Sequence, residues 1–151
     1  MIKISVCDDD EGQLTFFKQC FMEYNEKHKE KIEANFYQSV QSLLNEKKFS
    51  PDVYFLDIEL QDGNGLKLAG RIRTRNPQIP IVFITSHEEF MPEAFQVHAY
   101  QYLNEKKNAQ AVENVLNQLA DYFSEQNQIF SFQTYGEMIS LDCRNKIGRA
   151  S

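Results

Sequence analysis

The sequence predicts an α/β domain built on a doubly wound, mainly parallel sheet of five strands with helices on both faces. Short β-rich runs alternate with amphipathic stretches of helical period through about residue 125. Two of these runs, Val53–Leu56 and Ile79–Ile84, are apolar at nearly every position. Such runs are typical of strands that a parallel sheet buries on both faces.

The first quarter of the chain contains two predicted strands and two predicted helices. Ile2–Cys7 predicts the first strand, and Lys31–Tyr37 predicts a weaker second one. Between them, from Glu11 to about Glu26, apolar residues recur on one stripe of a helix: Leu14, Phe17, Phe21 and Tyr24. Ser39 is suited to cap a short second helix, because its hydroxyl can accept from a free backbone N–H of the first turn. The apolar face of that helix would be Val40, Leu43 and Leu44.

The middle of the chain repeats this alternation. Val53–Leu56 predicts the third strand, which ends at Asp57. Asp62–Gly65 has the composition of a turn. A helix should follow, with an apolar face made of Leu66, Ala69 and Ile72. Ile79–Ile84 then predicts the fourth strand.

The last predicted elements are less regular. A short helix is expected around Glu88–Gln96, and Ala99–Leu103 predicts the fifth strand. The next helix has the clearest apolar stripe: Val112, Val115, Leu116, Leu119, Tyr122 and Phe123. After a polar segment, Ile129–Thr134 and Met138–Cys143 are β-like and flank a turn. We therefore divide the chain into a domain of residues 1–125 and a segment 126–151 that begins a second domain, with Gly148–Ser151 interpreted as vector sequence.

Composition excludes several classes of protein. With 42% hydrophobic and 25% charged residues, most of the chain should fold as a globular domain. A net charge of −6 argues against nucleic-acid binding by this part of the protein. No apolar run approaches the roughly 20 residues that span a bilayer, and a signal peptide is not recognisable, so we expect a cytosolic protein. The cysteines and histidines show neither disulfide nor metal-ligand spacing.

Polar residues follow four of the predicted strands: Asp8–Asp10, Asp57, Thr85–Ser86 and Glu105–Lys107. The carboxyl ends of parallel strands meet at one edge of the sheet, where ligands bind in this fold class. Crowded carboxylates repel one another unless a cation such as Mg²⁺ is present. An aspartate beside Mg²⁺ can attack a phosphoryl group, and a threonine hydroxyl can bind the transferred oxygens. Each set also has a simpler interpretation as a helix cap or the start of a turn.

These segments resemble the signature segments of receiver domains in bacterial two-component response regulators. They are the Cys-Asp-Asp-Asp run at 7–10, Phe55–Leu60 followed by Asn64–Leu66, Ile84–Ser86, and Ala99–Leu103. The resemblance covers roughly residues 1–125. It implies a flavodoxin-like sheet of strand order 2-1-3-4-5.

The resemblance also implies roles for individual residues. Asp57 would be the phosphoacceptor, and Asp9 and Asp57 would bind Mg²⁺ together with the backbone carbonyl of Glu59. Asp8 would act mainly through a metal-bound water. Thr85 would be the switch hydroxyl. Tyr102 would be an aromatic ring that changes its burial on activation, and an ordinary core ring remains the alternative interpretation.

The partners are implied in the same way. A sensor histidine kinase would donate the phosphoryl group, and activation would favour a homodimer. Phe130–Gly136 and Ile139–Asp142 resemble the opening strands of a LytTR-type DNA-binding domain, as in the LytR/AgrA-type transcription regulators. DNA would then be bound only through that domain. We expect neither a membrane partner nor enzymatic turnover.

One departure from the family pattern leaves alternatives open. Receivers carry a lysine three residues after the aromatic of strand five, where this sequence has Glu105 followed by Lys106. The lysine is either absent or displaced by one residue, which would require a bulge or an altered loop. A receiver-fold interaction module that acts without phosphorylation is therefore the second interpretation. A phosphohydrolase with an aspartyl nucleophile, assisted by Glu59, is the third.

Overall fold

The structure is a computed structural model that describes residues 1–103 and 108–147, with side-chain surroundings through residue 129. The chain divides into two compact units, residues 1–115 and 116–151. Within the described ranges, the helices include none long and apolar enough to cross a membrane.

The first unit contains a sheet of five parallel strands in the order β2-β1-β3-β6-β7. Counted by sheet strands alone, this is the predicted order 2-1-3-4-5, so the predicted fold is confirmed. A separate antiparallel hairpin, β4–β5, lies between β3 and the next helix and was not predicted. The strands are β1 Ile2–Cys7, β2 Ile32–Tyr37, β3 Val53–Asp57, β4 Glu59–Leu60, β5 Gly63–Asn64, β6 Ile81–Ile84 and β7 Gln101–Leu103.

The first two helices begin at residues whose side chains cap them. Asp10 accepts from the backbone N–H groups of Gly12 at 2.9 Å and Gln13 at 3.4 Å at the start of the first helix. Ser39 and Ser42 form a capping box on the second. The helices are α1 Glu11–Lys27, α2 Val40–Asn45, α3 Gly65–Arg75, α4 Met91–Gln96 (preceded by a 3₁₀ turn, Glu88–Phe90) and α5 Ala109–Ile147.

The sheet buries apolar residues on both faces, as the alternation along β3 shows. The ring of Phe55 points to one face, where it makes edge contacts with Phe17 and Phe21 of α1 at centroid distances of 5.8 Å. Leu56 points to the other face and joins a core that includes Leu43 of α2 and Leu68 of α3. All six residues are buried. Because successive residues of a strand face opposite sides, β3 needs apolar residues at consecutive positions.

The prediction of two strands near the end of the chain is wrong. The helix α5 continues without a break from Ala109 to Ile147 and includes both segments, Ile129–Thr134 and Met138–Cys143. A two-stranded hairpin without further strands is marginal in water. Extending a helix that is already nucleated adds one backbone hydrogen bond for each residue fixed. Val112, Val115, Leu116 and Leu119 of the predicted apolar stripe are buried. Gly148–Ser151 lies outside the described residues.

Candidate functional site

Three aspartates meet at the carboxyl edge of the sheet. Asp8 and Asp9 follow β1, and Asp57 is the last residue of β3. These two strands are neighbours, with Cys7 paired to Leu56, so the residues after them arrive at the same edge. One carboxylate oxygen from each of the three aspartates lies within 4.8 Å of the others. The structure thus brings together the carboxylates that the strand ends predicted.

The surroundings of the three carboxylates are strongly negative. Asp8 is buried, at 3% exposure, and its Oδ1 accepts a hydrogen bond of 2.9 Å from the backbone N–H of Asp10. The pKa of the Cys7 thiol is raised to about 12, first by its burial and then by the charges of Asp62, Asp8, Asp57 and Asp9. A compact set of carboxylate oxygens is the donor set that Mg²⁺ prefers, so the residues present fit this cation.

The aspartates line a cleft of about 360 Å³. Glu59 lines the same cleft, as do Thr85 and His87 on the far side of Asp57. This volume suits a small, hydrated ligand. A larger groove of about 640 Å³ lies beside α1, where Lys18 stands over the ring of Phe36, but none of the three clustered carboxylates lines it. The candidate site is therefore the smaller cleft, which the three carboxylates line.

Thr85 is held at the end of β6 by hydrogen bonds on both sides. Its backbone N–H donates to the carbonyl of Leu103 at 3.1 Å, which ties β6 to β7. Its Oγ1 accepts from the backbone N–H of His87 at 3.2 Å. This contact agrees with the simpler interpretation of Thr85 as a turn-stabilising residue. The accepting role leaves its own O–H as a donor at the cleft.

Tyr102 is half-buried and packs against the core that includes Leu56. Its hydroxyl donates to the backbone carbonyl of His87. Burial raises the pKa of the Tyr102 hydroxyl, and the charges of Glu89 and Glu88 raise it further. The ring is thus partly a core residue and partly a hydrogen-bonded group beside the cleft, so both interpretations of Tyr102 stand.

His87 is a cleft residue that the sequence did not reveal. Its Nε2 lies 3.1 Å from Oε2 of Glu59, and its Nδ1 lies 3.2 Å from Oε1 of Glu89. Asp57 pairs with Ile84 across β3 and β6, so the segments after these strands face each other. The two residues meet because Glu59 and His87 follow the ends of two neighbouring strands.

Gln13 is a second residue that the sequence did not reveal. It is 2% exposed and lines the cleft from α1. Neither Nε2 nor Oε1 of its amide has a hydrogen-bond partner within the described part of the chain. Leaving a buried polar group unsatisfied costs about 1–3 kcal/mol. Its helical position three residues after Asp10 was the available signal. Glu105 and Lys106 lie outside the described residues.

Comparisons with known proteins agree on one family. The family model for the response regulator receiver domain matches residues 4–119. An uncharacterized response regulatory protein of Yersinia pestis is 30% identical over 122 residues, which are 80% of this chain and 49% of the relative. The sensory transduction protein LytR of Staphylococcus haemolyticus is 30% identical over 95 residues, covering 63% of this chain and 36% of the relative. The chain thus spans about half or less of the length of these relatives.

Solved structures share the fold. The BeF₃-activated DrrB receiver domain superposes with a TM-score of 0.69 at 20% identity, covering 80% of this chain and 98% of that one. The response regulator protein TrrA from Thermotoga maritima, in complex with Mg²⁺ and BeF, gives a TM-score of 0.66 at 22% identity, covering 79% of this chain and 99% of that one.

Proposed function

Because this chain belongs to the response regulator receiver domain family, we propose that it accepts a phosphoryl group on Asp57 and acts as a phosphorylation-controlled switch. The observation that carries the proposal is the cluster of Asp8, Asp9 and Asp57, whose carboxylate oxygens lie within 4.8 Å of one another. Asp57 lies at the end of a central strand, where the sheet holds its backbone in place while its carboxylate reaches the cleft.

The transfer step follows from the chemistry of a carboxylate. An oxygen of Asp57 attacks the phosphorus of the donor, a phosphorus–oxygen bond to Asp57 forms, and the bond to the leaving group breaks. The carboxylates of Asp9 and Asp57 and the backbone carbonyl of Glu59 would hold Mg²⁺, with Asp8 acting through a bound water. The cation would neutralise charge on the cleft and on the phosphoryl oxygens. The Thr85 hydroxyl would donate to one of those oxygens.

A phosphoryl group on Asp57 would change the hydrogen bonds beyond Thr85. It adds roughly −1.5 to −2 charge if it behaves like other phosphorylated side chains. Thr85 is bonded to the backbone N–H of His87, whose carbonyl accepts from Tyr102. A shift of the Thr85 hydroxyl toward phosphate would therefore alter the contacts of His87 and of the Tyr102 ring. This is the path by which we expect the switch to reach the surface of the domain.

The proposal extends to partners. A sensor histidine kinase would supply the phosphoryl group in the cytoplasm, and phosphorylation would favour a homodimer. Relatives named LytR support an output through a LytTR-type DNA-binding domain in transcription regulation. We do not expect catalytic turnover of a substrate, so steady release of phosphate from an ester would contradict the proposal.

Acetyl phosphate with Mg²⁺ tests the acceptor directly. Intact-mass spectrometry should show one added phosphoryl group on the wild-type chain and none on Asp57→Asn. Asp52→Asn is the matched control, because Asp52 accepts from the backbone N–H of Lys3 just before β3 and lines no part of the cleft. Phosphate mapped to Asp8 or Asp9, or retained in Asp57→Asn, would overturn the assignment.

An interaction module without phosphoryl control is the second candidate, and Glu105 at the lysine position favours it. A missing charge-assisted hydrogen bond of about 1.5–3 kcal/mol would weaken the coupling between phosphorylation and output. Under the leading proposal, Glu105→Lys should raise the phosphorylated dimer fraction in sedimentation. If Lys106→Ala abolishes that dimer and Glu105→Lys changes nothing, Lys106 has taken the lysine role. If wild-type protein binds its partner equally well with and without phosphorylation, the second candidate holds.

A further inference from the structure

Gln13 is a buried polar residue whose amide has no hydrogen-bond partner among the residues that the structure describes. At 2% exposure, its Nε2 and Oε1 atoms are the buried side-chain nitrogen and oxygen atoms without a partner among the residues whose surroundings are described. A carboxamide offers two N–H donors and one accepting oxygen, and burying these groups unsatisfied is costly. An apolar side chain would fill the same place on α1 without that cost. The amide is therefore better explained by a ligand than by the fold.

The local structure explains why the Gln13 amide has no partner on its own helix. Gln13 is the third residue of α1, the position from which a glutamine side chain often reaches back to the backbone N–H of the cap residue. Here that N–H belongs to Asp10 and already donates to Oδ1 of Asp8 at 2.9 Å. The Asp10 carboxylate accepts hydrogen bonds from the backbone N–H groups of Gly12 and Gln13. The usual local partner of the amide is thus occupied by the first aspartate of the acidic cluster.

The free amide lines the cleft that the three clustered aspartates also line. Mg²⁺ keeps several of its waters when it binds to carboxylates, and those waters are strong hydrogen-bond donors. We propose that Gln13 is a ligand-positioning residue, whose Oε1 accepts a hydrogen bond from a water in the shell of the Mg²⁺ that Asp9, Asp57 and the backbone carbonyl of Glu59 would hold. This inference rests on the proposed function and adds a residue of α1 to its cation site.

Replacing Gln13 by methionine separates this role from a structural one. The substitution keeps the length of the side chain and removes the amide. In EDTA, the melting temperature of Gln13→Met should equal or exceed that of the wild type, because an unsatisfied buried group has been removed. In Mg²⁺ titrations by calorimetry, the dissociation constant should rise about tenfold, as is usual when a group that supports metal ligands is lost. An amide that serves only the fold would produce the opposite pattern, with lower stability and unchanged affinity.

Two further variants complete the design. Gln19→Met makes the same change on the exposed face of α1, where Nε2 bonds to Glu23 at 3.1 Å, and should leave Mg²⁺ affinity unchanged. Gln13→Glu restores an accepting oxygen and should bind Mg²⁺ at least as tightly as the wild type. If Gln13→Met does not fold, Gln13→Leu takes its place, with the same results expected.

The outcomes distinguish the inference from the proposed function. If the wild type neither binds Mg²⁺ nor takes phosphate from acetyl phosphate, the proposed function and the inference both fail. If the wild type does both and Gln13→Met and Gln13→Leu retain its Mg²⁺ affinity, only the inference is overturned. Unchanged Mg²⁺ affinity with weakened binding of beryllofluoride would also overturn it, because the amide would then contact the phosphoryl group rather than the hydrated cation.

Discussion

Replacing Gly65 by alanine should destabilise the domain, because the added methyl group has no room. A Cβ atom built on Gly65 would lie 2.1 Å from the carbonyl oxygen of Asp57 and 3.0 Å from Cα of Ile58. The same residues are joined by a hydrogen bond of 2.8 Å from the Gly65 N–H to the Ile58 carbonyl. The start of α3 is thus pressed against the backbone that carries Asp57, and glycine makes this close approach possible.

The cost of this substitution follows from the distances. Carbon–oxygen contacts normally stand at about 3.3 Å or more, so the two backbone segments must separate by roughly 1 Å. Overpacking of this kind costs about 1–3 kcal/mol. Weakening of the hydrogen bond adds about 0.5–1.5 kcal/mol. We expect a loss of roughly 2–4 kcal/mol in the free energy of unfolding, or about 5–15 °C in melting temperature for a chain of this size.

Gly70→Ala is the matched control for Gly65→Ala. Gly70 lies inside α3, and a Cβ built on it meets nothing within 4 Å. Alanine there should stabilise the domain by about 0.5–1 kcal/mol, since glycine is a poor helix former. Thermal unfolding followed by circular dichroism should therefore shift in opposite directions for the two variants. Equal melting temperatures, or a Gly65→Ala variant as stable as the wild type, would refute the close approach at Asp57.

Three further substitutions test the cap, the hairpin and the core. Asp10→Ala should cost about 1 kcal/mol in chemical denaturation, because α1 loses its N-cap, whereas Asp10→Ser should retain most of it. The backbone N–H groups of Val40 and Gln41 lower the pKa of the Asp62 carboxyl from its ordinary 3.8. The ionised carboxylate therefore stabilises the folded protein fully above the ordinary pKa, and this stabilisation is lost as the pH falls through the lower pKa of the folded state. The difference in melting temperature between wild type and Asp62→Asn should accordingly shrink below about pH 4, and a constant difference would contradict this account. Phe17→Ala should cost about 3–5 kcal/mol in urea unfolding, because this buried ring packs edge-on against the sheet, and a smaller loss would mean that the core relaxes around the cavity.

The parallel sheet could be predicted because burial on both faces leaves a strong pattern, whereas its strand order was implied by the resemblance to receiver domains. Residues 53–56 of β3 and Ile81–Ile84 are apolar at consecutive positions, since each residue meets one helical layer or the other. The convergence of Asp9 and Asp57 followed from this, because parallel neighbouring strands end at one edge. Local chemistry was enough for this part of the fold and of the candidate site.

The features that were missed depend on contacts between distant segments. Ile129–Thr134 has β-like composition, but intrinsic β preference is weak and the continuation of α5 outweighed it. His87 showed no metal-ligand spacing in the sequence, and only the pairing of β3 with β6 brings it to Glu59. Gln13 looked like an ordinary polar residue on a helix. Its burial, and the lack of a partner for its amide among the described residues, are properties of the folded cleft.

The parallel pairing of β1, β3 and β6 has a consequence for how the protein is made. These strands are separated along the chain by α1, α2 and α3, so every contact between them closes a long loop, and folding that depends on such contacts is slow. A growing chain on the ribosome cannot pair β3 with β6 until Ile81–Ile84 has emerged. Before that point, the cleft lacks the wall that carries Thr85 and His87, even where β1 and β3 have already brought the aspartates together. The nascent protein therefore completes its cleft only after the fourth strand of the sheet has been made.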